Sequence, residues 1–312
     1  MRKIVVMPIY EDVEASSKLF LELARTQGLD TYIVAVDDGS VRQPVQVAAI
    51  EAAGLDGVVI RLRRNVGHQR AIAIGLSYVA EHFSDDVIVV AMDSDGEDTP
   101  ESITDLVSGL AMPDVDVVVA TRRSRVESFR FKAFYVFYKF LFSLLSGRRI
   151  SFGNFMAAKL PAVRRLASMQ ELWTHVAASV LSSKLRVQSC ALDRGARYAG
   201  RSKMNFVGLA LHGFRALMVF AEDVLVRVGI ACTLVAGLSV IGGVLALALK
   251  TLGFATPGWF SLAFGILLLV FLQTAALTLI ILLLSGMLRS GGVLGVGSYR
   301  EFVDEVQHAG RS

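Results

Sequence analysis

The sequence predicts an α/β fold, a three-layer, mostly parallel sheet with helices on its faces, followed by a hairpin of two membrane-spanning helices. Three observations predict it. Strand-like apolar runs alternate with helical ones from Lys3 to Ala120. Polar clusters follow four of those runs, at the carboxyl edge where such sheets bind ligands. No charged residue lies between Arg227 and Lys250 or between Lys250 and Arg289, and each gap exceeds the roughly 20 apolar residues that cross a bilayer. A hydrophobic fraction of 54% over 312 residues, with mean hydropathy +0.54, is likewise too high for an ordinary soluble enzyme.

The elements follow in order. A first strand is expected at Lys3–Ile9; its basic start and short apolar run lack the cleavage pattern of a signal peptide. Helix Val13–Thr26, strand Thr31–Asp37, helix Pro44–Ala53, strand Gly57–Leu62 and helix His68–Phe83 come next. Strand Val87–Met92, helix Pro100–Leu110 and strand Val115–Ala120 complete the alternation. The clusters PIYED, VDDGS, RRNVG and MDSDGED then converge on one edge and make a site. Within the last, Asp93 and Asp95 stand one residue apart and repel each other unless a cation or a donor-rich ligand lies between them.

From Arg122 the chain turns basic and aromatic, RRSRVESFRFKAFYVFYKFLFSLLSGRR. Such interleaving also suits nucleic acid, but Phe134, Phe137, Tyr138, Leu141 and Leu145 recur at helical spacing. An amphipathic helix at residues 128–146, lying on an anionic membrane surface, explains both features and is preferred; no nucleic acid partner is expected. A second amphipathic helix, residues 205–227, leads into the spans, with Phe206, Leu209, Phe214, Leu217 and Phe220 at the interface. The spans are expected near Val228–Leu249 and Trp259–Leu284, within residues 228–288, and residues 289–312 form a tail. Only Lys250 sits in the loop between them, whereas Arg215, Arg227, Arg289 and Arg300 flank the other ends, so both termini and residues 1–204 are placed in the cytoplasm. Cys190 and Cys232, far apart, suggest neither a disulfide nor a zinc site. Neither a G-x-G-x-x-G turn after the first strand nor a P-loop occurs, which argues against nicotinamide enzymes and P-loop nucleotide hydrolases.

VDDGS, RNVGHQRAIAIGL and DSDGEDTPE, in that order, resemble the glycosyltransferase family 2 pattern on a GT-A fold. With two C-terminal spans the resemblance is to the polyprenyl-phosphate glycosyltransferases, and it covers nearly the whole chain. It implies a membrane-anchored inverting enzyme that moves one sugar from a UDP- or GDP-sugar to a polyprenyl phosphate, undecaprenyl or dolichyl, at the cytoplasmic leaflet of the inner membrane. A homo-oligomer is compatible with it. It also implies a divalent metal, manganese or magnesium, which neutralises the diphosphate as the glycosyl bond breaks. Asp95 is then the best ligand, Asp93 a partner to the metal or the ribose, and Asp98 a support. Asp98 and Glu101 also serve the start of the helix after Pro100.

Further roles follow from the same resemblance. Asp37 and Asp38 match the nucleotide-binding pair, Asp38 being the nearer contact, and Ser94 lies between the metal-site acids. A plain strand-ending turn is the competing reading of Asp37 and Asp38. Pro8, Tyr10 and Glu11 match a P-x-Y-N-E opening from which this chain lacks the asparagine. Arg64 and Asn65 precede a helix start suited to an anion or nucleotide, or else Arg64 pairs with the acidic edge. Arg197, Arg201, Ser202 and Lys203 match a loop that closes over donor phosphates, with Arg201 in place of a glutamate. Arg122 and Arg123 are candidates for the lipid phosphate, with surface solvation as the alternative. The family pattern G-D-F is replaced by Gly153, Asn154 and Phe155. A lipid phosphate, with a second pKa of about 6, needs positioning more than deprotonation, so activity is expected with Asn154 as an orienting group. The competing functions are a family 2 transferase with another lipid or glycan acceptor, and an inactive sugar-nucleotide-binding membrane partner.

Overall fold

The computed structural model describes residues 1–84, 86–122, 139–199, 206–254, 256, 258–289 and 296–310. Arg123, Arg201, Ser202 and Lys203, and residues 128–138 of the expected interfacial helix, lie outside the described residues. The chain divides into two compact units, Met1–Lys139 with Arg149–Val219 and Val293–Ser312, and Phe140–Arg148 with Phe220–Gly292.

The first unit holds one eight-stranded sheet. Strands β1 (Arg2–Ile9), β2 (Tyr32–Asp37), β3 (Asp56–Leu62) and β4 (Val87–Ala91) run parallel, as expected. Helices α1 (Val13–Gln27), α2 (Val47–Ala52) and α3 (His68–His82) connect them. Then come α4 (Ser102–Gly109) and β5 (Val117–Arg122). A short helix, α5, spans residues 139–146, of which 140–146 belong to the second unit. Three strands were not expected: β6 (Phe152–Lys159), β7 (Val187–Leu192) and β8 (Val303–Ala309). β6 runs antiparallel between β4 and β5, β7 parallel to β5 at one edge, and β8 antiparallel to β3 at the other. The order is β7-β5-β6-β4-β1-β2-β3-β8.

The expected 289–312 tail is corrected here, since its Val303–Ala309 segment completes the sheet. VDEVQHA carries too much charge to read as a strand, and only its pairing with an otherwise open β3 edge makes it one. Tyr299, 3% exposed, ties this return to the body: its hydroxyl donates to Glu81 Oε2 at 2.7 Å and its ring meets Tyr78 edge-on at 6.3 Å.

The period-2 alternation of the strands sorts the core into two layers. Ile4, Val6, Val34, Val36, Val58 and Ile60 face α3, α6 (Leu160–Ala167) and α7 (Val176–Ser182). Val5, Met7, Ile33, Ala35 and Val59 pack with Leu19, Phe20, Ile50 and Leu106 from α1, α2 and α4 on the other side. Gly75 of α3 has no room for a side chain, because a Cβ there would lie 2.4 Å from Val6. Both faces are therefore filled, and the carboxyl edge is the side left for chemistry.

The expected amphipathic 205–227 helix is divided: α8 (Phe206–Met218) belongs to the first unit, while α9 (Ala221–Thr251) begins the second. α9 and α10 (Trp259–Arg289) pack antiparallel, since Gly229 faces Ile281 and Gly242 faces Leu267. Both are long and apolar enough to cross a membrane. Their outer surfaces expose Leu234, Leu238, Ile241, Leu269 and Leu283, and Thr233, Ser239, Thr274 and Thr278 return their hydroxyls to carbonyls of their own helix. That is the satisfaction lipid demands of every polar group.

Candidate active site

The strand order reverses at β1, which lies between β4 and β2. Ligands of open α/β sheets bind in that crevice, and the turn after β4 carries Asp93, Ser94, Asp95 and Asp98 into it. Ser94, Asp95 and Asp98 are buried, at 7%, 9% and 8% exposure. The turn holds itself: Asp95 Oδ1 accepts from the N–H of Glu97 at 2.9 Å, and Asp98 Oδ2 accepts from the N–H of Asp93 at 3.0 Å. Burial, and then the charge of Asp93, push Asp98 up to about 8. Burial and Asp93 also raise Asp95.

The loop after β7 is fastened onto this turn. Backbone N–H groups of Gly195 and Tyr198 donate to the carbonyls of Glu97 and Asp95, each at 2.9 Å. Gly96 sits at φ +86° under the Tyr198 ring, where a Cβ would come within 2.5 Å. Arg194 pairs with Glu97, and Arg197 Nη2 lies 2.5 Å from Asp95 Oδ2. The expected phosphate-binding Arg197 is thus seated on the expected metal ligand. Arg122 is exposed at the end of β5.

The other expected nucleotide contacts are engaged within the protein. Asp37, fully buried, accepts from the N–H groups of Ser40 and Val45 at 2.9 and 3.0 Å. Asp38 accepts from the N–H groups of Val66 and Gly67 at 2.7 and 3.0 Å. Asp38 thus clamps the two residues that lead into α3, just ahead of the helix start read from sequence as a seat for an anion. Burial outweighs those two bonds and raises Asp38. Glu11, at φ +48°, accepts from the N–H groups of Val41, Arg42 and Gln43, which lowers its pKa, so it shapes the loop after β2. Pro8 is buried in β1, whereas Tyr10 is 43% exposed. Arg64 and Asn65 are exposed, with their backbone close under Gly39.

Two residues of the site carry no sequence expectation. His68 Nε2 lies 3.1 Å from Asp93 Oδ1 and 3.0 Å from Asn154 Nδ2. Behind Asn154, the N–H of Val176 donates to Gln69 Oε1 at 2.8 Å, and Gln69 Nε2 donates to Asn154 Oδ1 at 3.1 Å. That chain fixes the amide, so its donor face is the one turned to His68. The two contacts compete for one nitrogen: with a proton on Nε2 the ring serves Asp93, and without it the ring accepts from Asn154. Burial lowers His68, but Asp93 and then Asp38 and Asp95 outweigh it, and the net shift is upward. The available signal was position alone, since His68 and Gln69 directly follow RNVG.

Asp93 Oδ1 is buried, with His68 Nε2 at 3.1 Å its close neighbour of opposite character among the described residues. With Asp95 beside it, that under-satisfied oxygen fits a hard divalent cation. No group of three His, Cys, Asp or Glu side chains forms a closed metal site among the described residues, so such a cation would take further ligands from its substrate.

The sequence profile described as Glycosyl transferase family 2 matches residues 4–165, which carry every site residue from Pro8 to Asn154. The chain belongs to glycosyl transferase family 2. Among its relatives within and around the family, it is 37% identical over 129 residues to an undecaprenyl-phosphate 4-deoxy-4-formamido-L-arabinose transferase of Sodalis glossinidius, covering 40% of this chain and 38% of that one. The corresponding enzyme of Erwinia tasmaniensis is 36% identical with the same coverage. An uncharacterized glycosyltransferase of Synechocystis is 26% identical over 290 residues, 88% of this chain and 87% of its own. The matches to the two arabinose transferases thus span well under half of those proteins. A crystal structure of glucosyl-3-phosphoglycerate synthase from Mycobacterium tuberculosis with Mn2+, UDP and phosphoglyceric acid matches at TM-score 0.49 and 17% identity, covering 72% of this chain and 78% of that one. In this family 2 chain, Arg194, Arg197, His175 and His212 lie beyond the matched segment.

Proposed function

We propose that this family 2 chain is a membrane-anchored, inverting glycosyltransferase that moves one sugar from a UDP- or GDP-sugar to a polyprenyl phosphate. The observation that carries it is the seating of Arg197 on Asp95 and of Arg194 on Glu97, in the turn that also holds Asp93, at the switch point of the sheet. Paired acids and arginines at one crevice suit a diphosphate together with its cation. Two apolar helices in the same chain, and relatives named for undecaprenyl-phosphate, support a lipid acceptor.

In the reaction an acceptor phosphate oxygen forms a bond to the anomeric carbon from the face opposite the nucleotide. The bond from that carbon to the diphosphate breaks, and the diphosphate leaves with the electron pair. Asp93 and Asp95 would hold manganese or magnesium, which would neutralise the charge on the leaving diphosphate. Arg197 is placed to grip a phosphate once released from Asp95. Asn154, turned by Gln69, offers an N–H donor and acts by orienting substrate, since an ionised lipid phosphate needs no base. Positive charge at Arg215, Arg227, Arg289 and Arg300 supports a cytoplasmic site.

The test is transfer from a panel of radiolabelled UDP- and GDP-sugars to a polyprenyl phosphate in detergent, with manganese, magnesium or chelator. Metal-dependent labelling of the lipid by one donor is expected. Nucleotide binding without transfer from any donor would instead favour an inactive binding partner, and transfer to a different lipid or glycan alone would reassign the acceptor.

A further inference from the structure

Two histidines with no role in the site above adjoin it through the peptide group of Val176. His175 caps α7, and its neighbour Val176 is the residue whose N–H fixes Gln69 and, through it, Asn154. The N–H of Ala178 donates to His175 Nδ1 at 3.3 Å. Nδ1 therefore presents its lone pair, and the one proton of the neutral ring sits on Nε2. Nε2 of His175 faces Nε2 of His212, on α8, at 3.1 Å. His175 consequently donates and His212 accepts, which leaves the proton of His212 on Nδ1. That N–H is left unused by the pair itself.

The pair is held neutral. Burial, and then His212, push His175 down to about 3; burial, His68 and Arg215 push His212 down, against Asp93. Those neighbours also place His212 within electrostatic reach of the site. Arg215, three residues along α8, shares its face and is exposed. A neutral N–H beside a guanidinium is a donor set for a phosphate monoester. α8 ends at Met218 and the apolar helix α9 starts at Ala221, so chain continuity favours a phosphate carried by a lipid over a soluble one.

We propose that His212 Nδ1–H and Arg215 form the subsite for the phosphate of the lipid acceptor, with His175 as the positioning residue that fixes the His212 tautomer. This rests on the transfer reading above.

The full chain in detergent is tested for binding of farnesyl phosphate, farnesol, inorganic phosphate and UDP or GDP, and for acceptor KM in transfer. Wild type is expected to prefer farnesyl phosphate to farnesol, and His212→Ala to lose about tenfold or more of that preference with nucleotide affinity unchanged. His212→Asn, which keeps an N–H near the Nδ1 position, is expected to recover part of it. His175→Asn keeps an acceptor for Ala178 but loses the donor to His212; acceptor KM should rise with kcat little changed. Nitrogen NMR of the wild-type rings should show His212 protonated on Nδ1, a readout that depends on no variant folding. A proton on Nε2 of His212, an undiminished preference in His212→Ala, or an equal loss of nucleotide binding would overturn the proposal. Inorganic phosphate competing as strongly as farnesyl phosphate would overturn the lipid source. If wild type transfers no sugar at all, the function proposed above fails, and the binding and NMR arms still decide this subsite.

Discussion

Arg197 Nη2 sits 2.5 Å from Asp95 Oδ2, so a cation of the protein's own occupies the carboxylate that the metal reading needs. A divalent ion and Arg197 then compete for Asp95, while the diphosphate and Asp95 compete for Arg197. Arg197→Ala should therefore tighten manganese binding to the free protein and weaken nucleotide-sugar binding, each by about tenfold. Calorimetric titration of the two ligands separately checks this, and changes of the same sign for both would refute the competition. Asp95→Asn should lose manganese binding and lower turnover by about 100-fold or more in a folded protein.

Gly39 stands at φ +70°, and a Cβ there would lie 2.5 Å from Arg64 C and Asn65 N. Those are backbone atoms of the loop whose next N–H groups Asp38 holds, so neither side has room to move. Gly39→Ala should cost about 2–4 kcal/mol and weaken nucleotide binding with it. Urea unfolding of variant and wild type reads the first, and a loss under 1 kcal/mol, roughly the background of ordinary substitutions, would show that the two loops are not locked together.

His175 gives a pH dependence whose sign is fixed. Its folded pKa, about 3, lies below the ordinary histidine value of 6.5, so between those values the unfolded chain binds a proton that the folded one does not. Stability from this group is complete above pH 6.5 and falls as the pH drops toward 3, by at most about 1.4 kcal/mol per unit. Melting temperatures in detergent should therefore fall from pH 7 to pH 5, and His175→Asn should flatten that part of the curve. An equal slope in the variant would show that other groups carry it.

Tyr299 closes the return of the C-terminal segment onto α3, with its hydroxyl on Glu81 and its ring against Tyr78. Tyr299→Phe should cost about 1 kcal/mol through the lost bond, and Tyr299→Ala about 3–5 kcal/mol through the added cavity. Hydrogen exchange along β8 and β3 checks whether the loss is local, since release of β8 exposes the β3 edge. Unchanged protection of both strands in Tyr299→Ala would show that pairing alone holds the segment.

By itself the sequence determined the alternation of β1 to β5 with their helices, the convergence of Asp38, Asp93 and Asp95 on one edge, and two apolar helices long enough to cross a bilayer. Those features are written locally, in period, charge and length. Only the tertiary structure decided what each polar group faces. Asp37, Asp38 and Glu11 answer backbone donors three to thirty-two residues away, so residue type cannot tell a ligand contact from a loop clamp. His68, Gln69 and Asn154 meet across 85 and 86 residues, and His175 meets His212 across 37. β8 lies more than 200 residues from Arg61, beside which it pairs, and its charged sequence becomes strand because β3 offered an unpaired edge. Hydrogen bonds between distant residues depend on how the chain closes, and that closure is set by the packed core as a whole rather than by any segment of it.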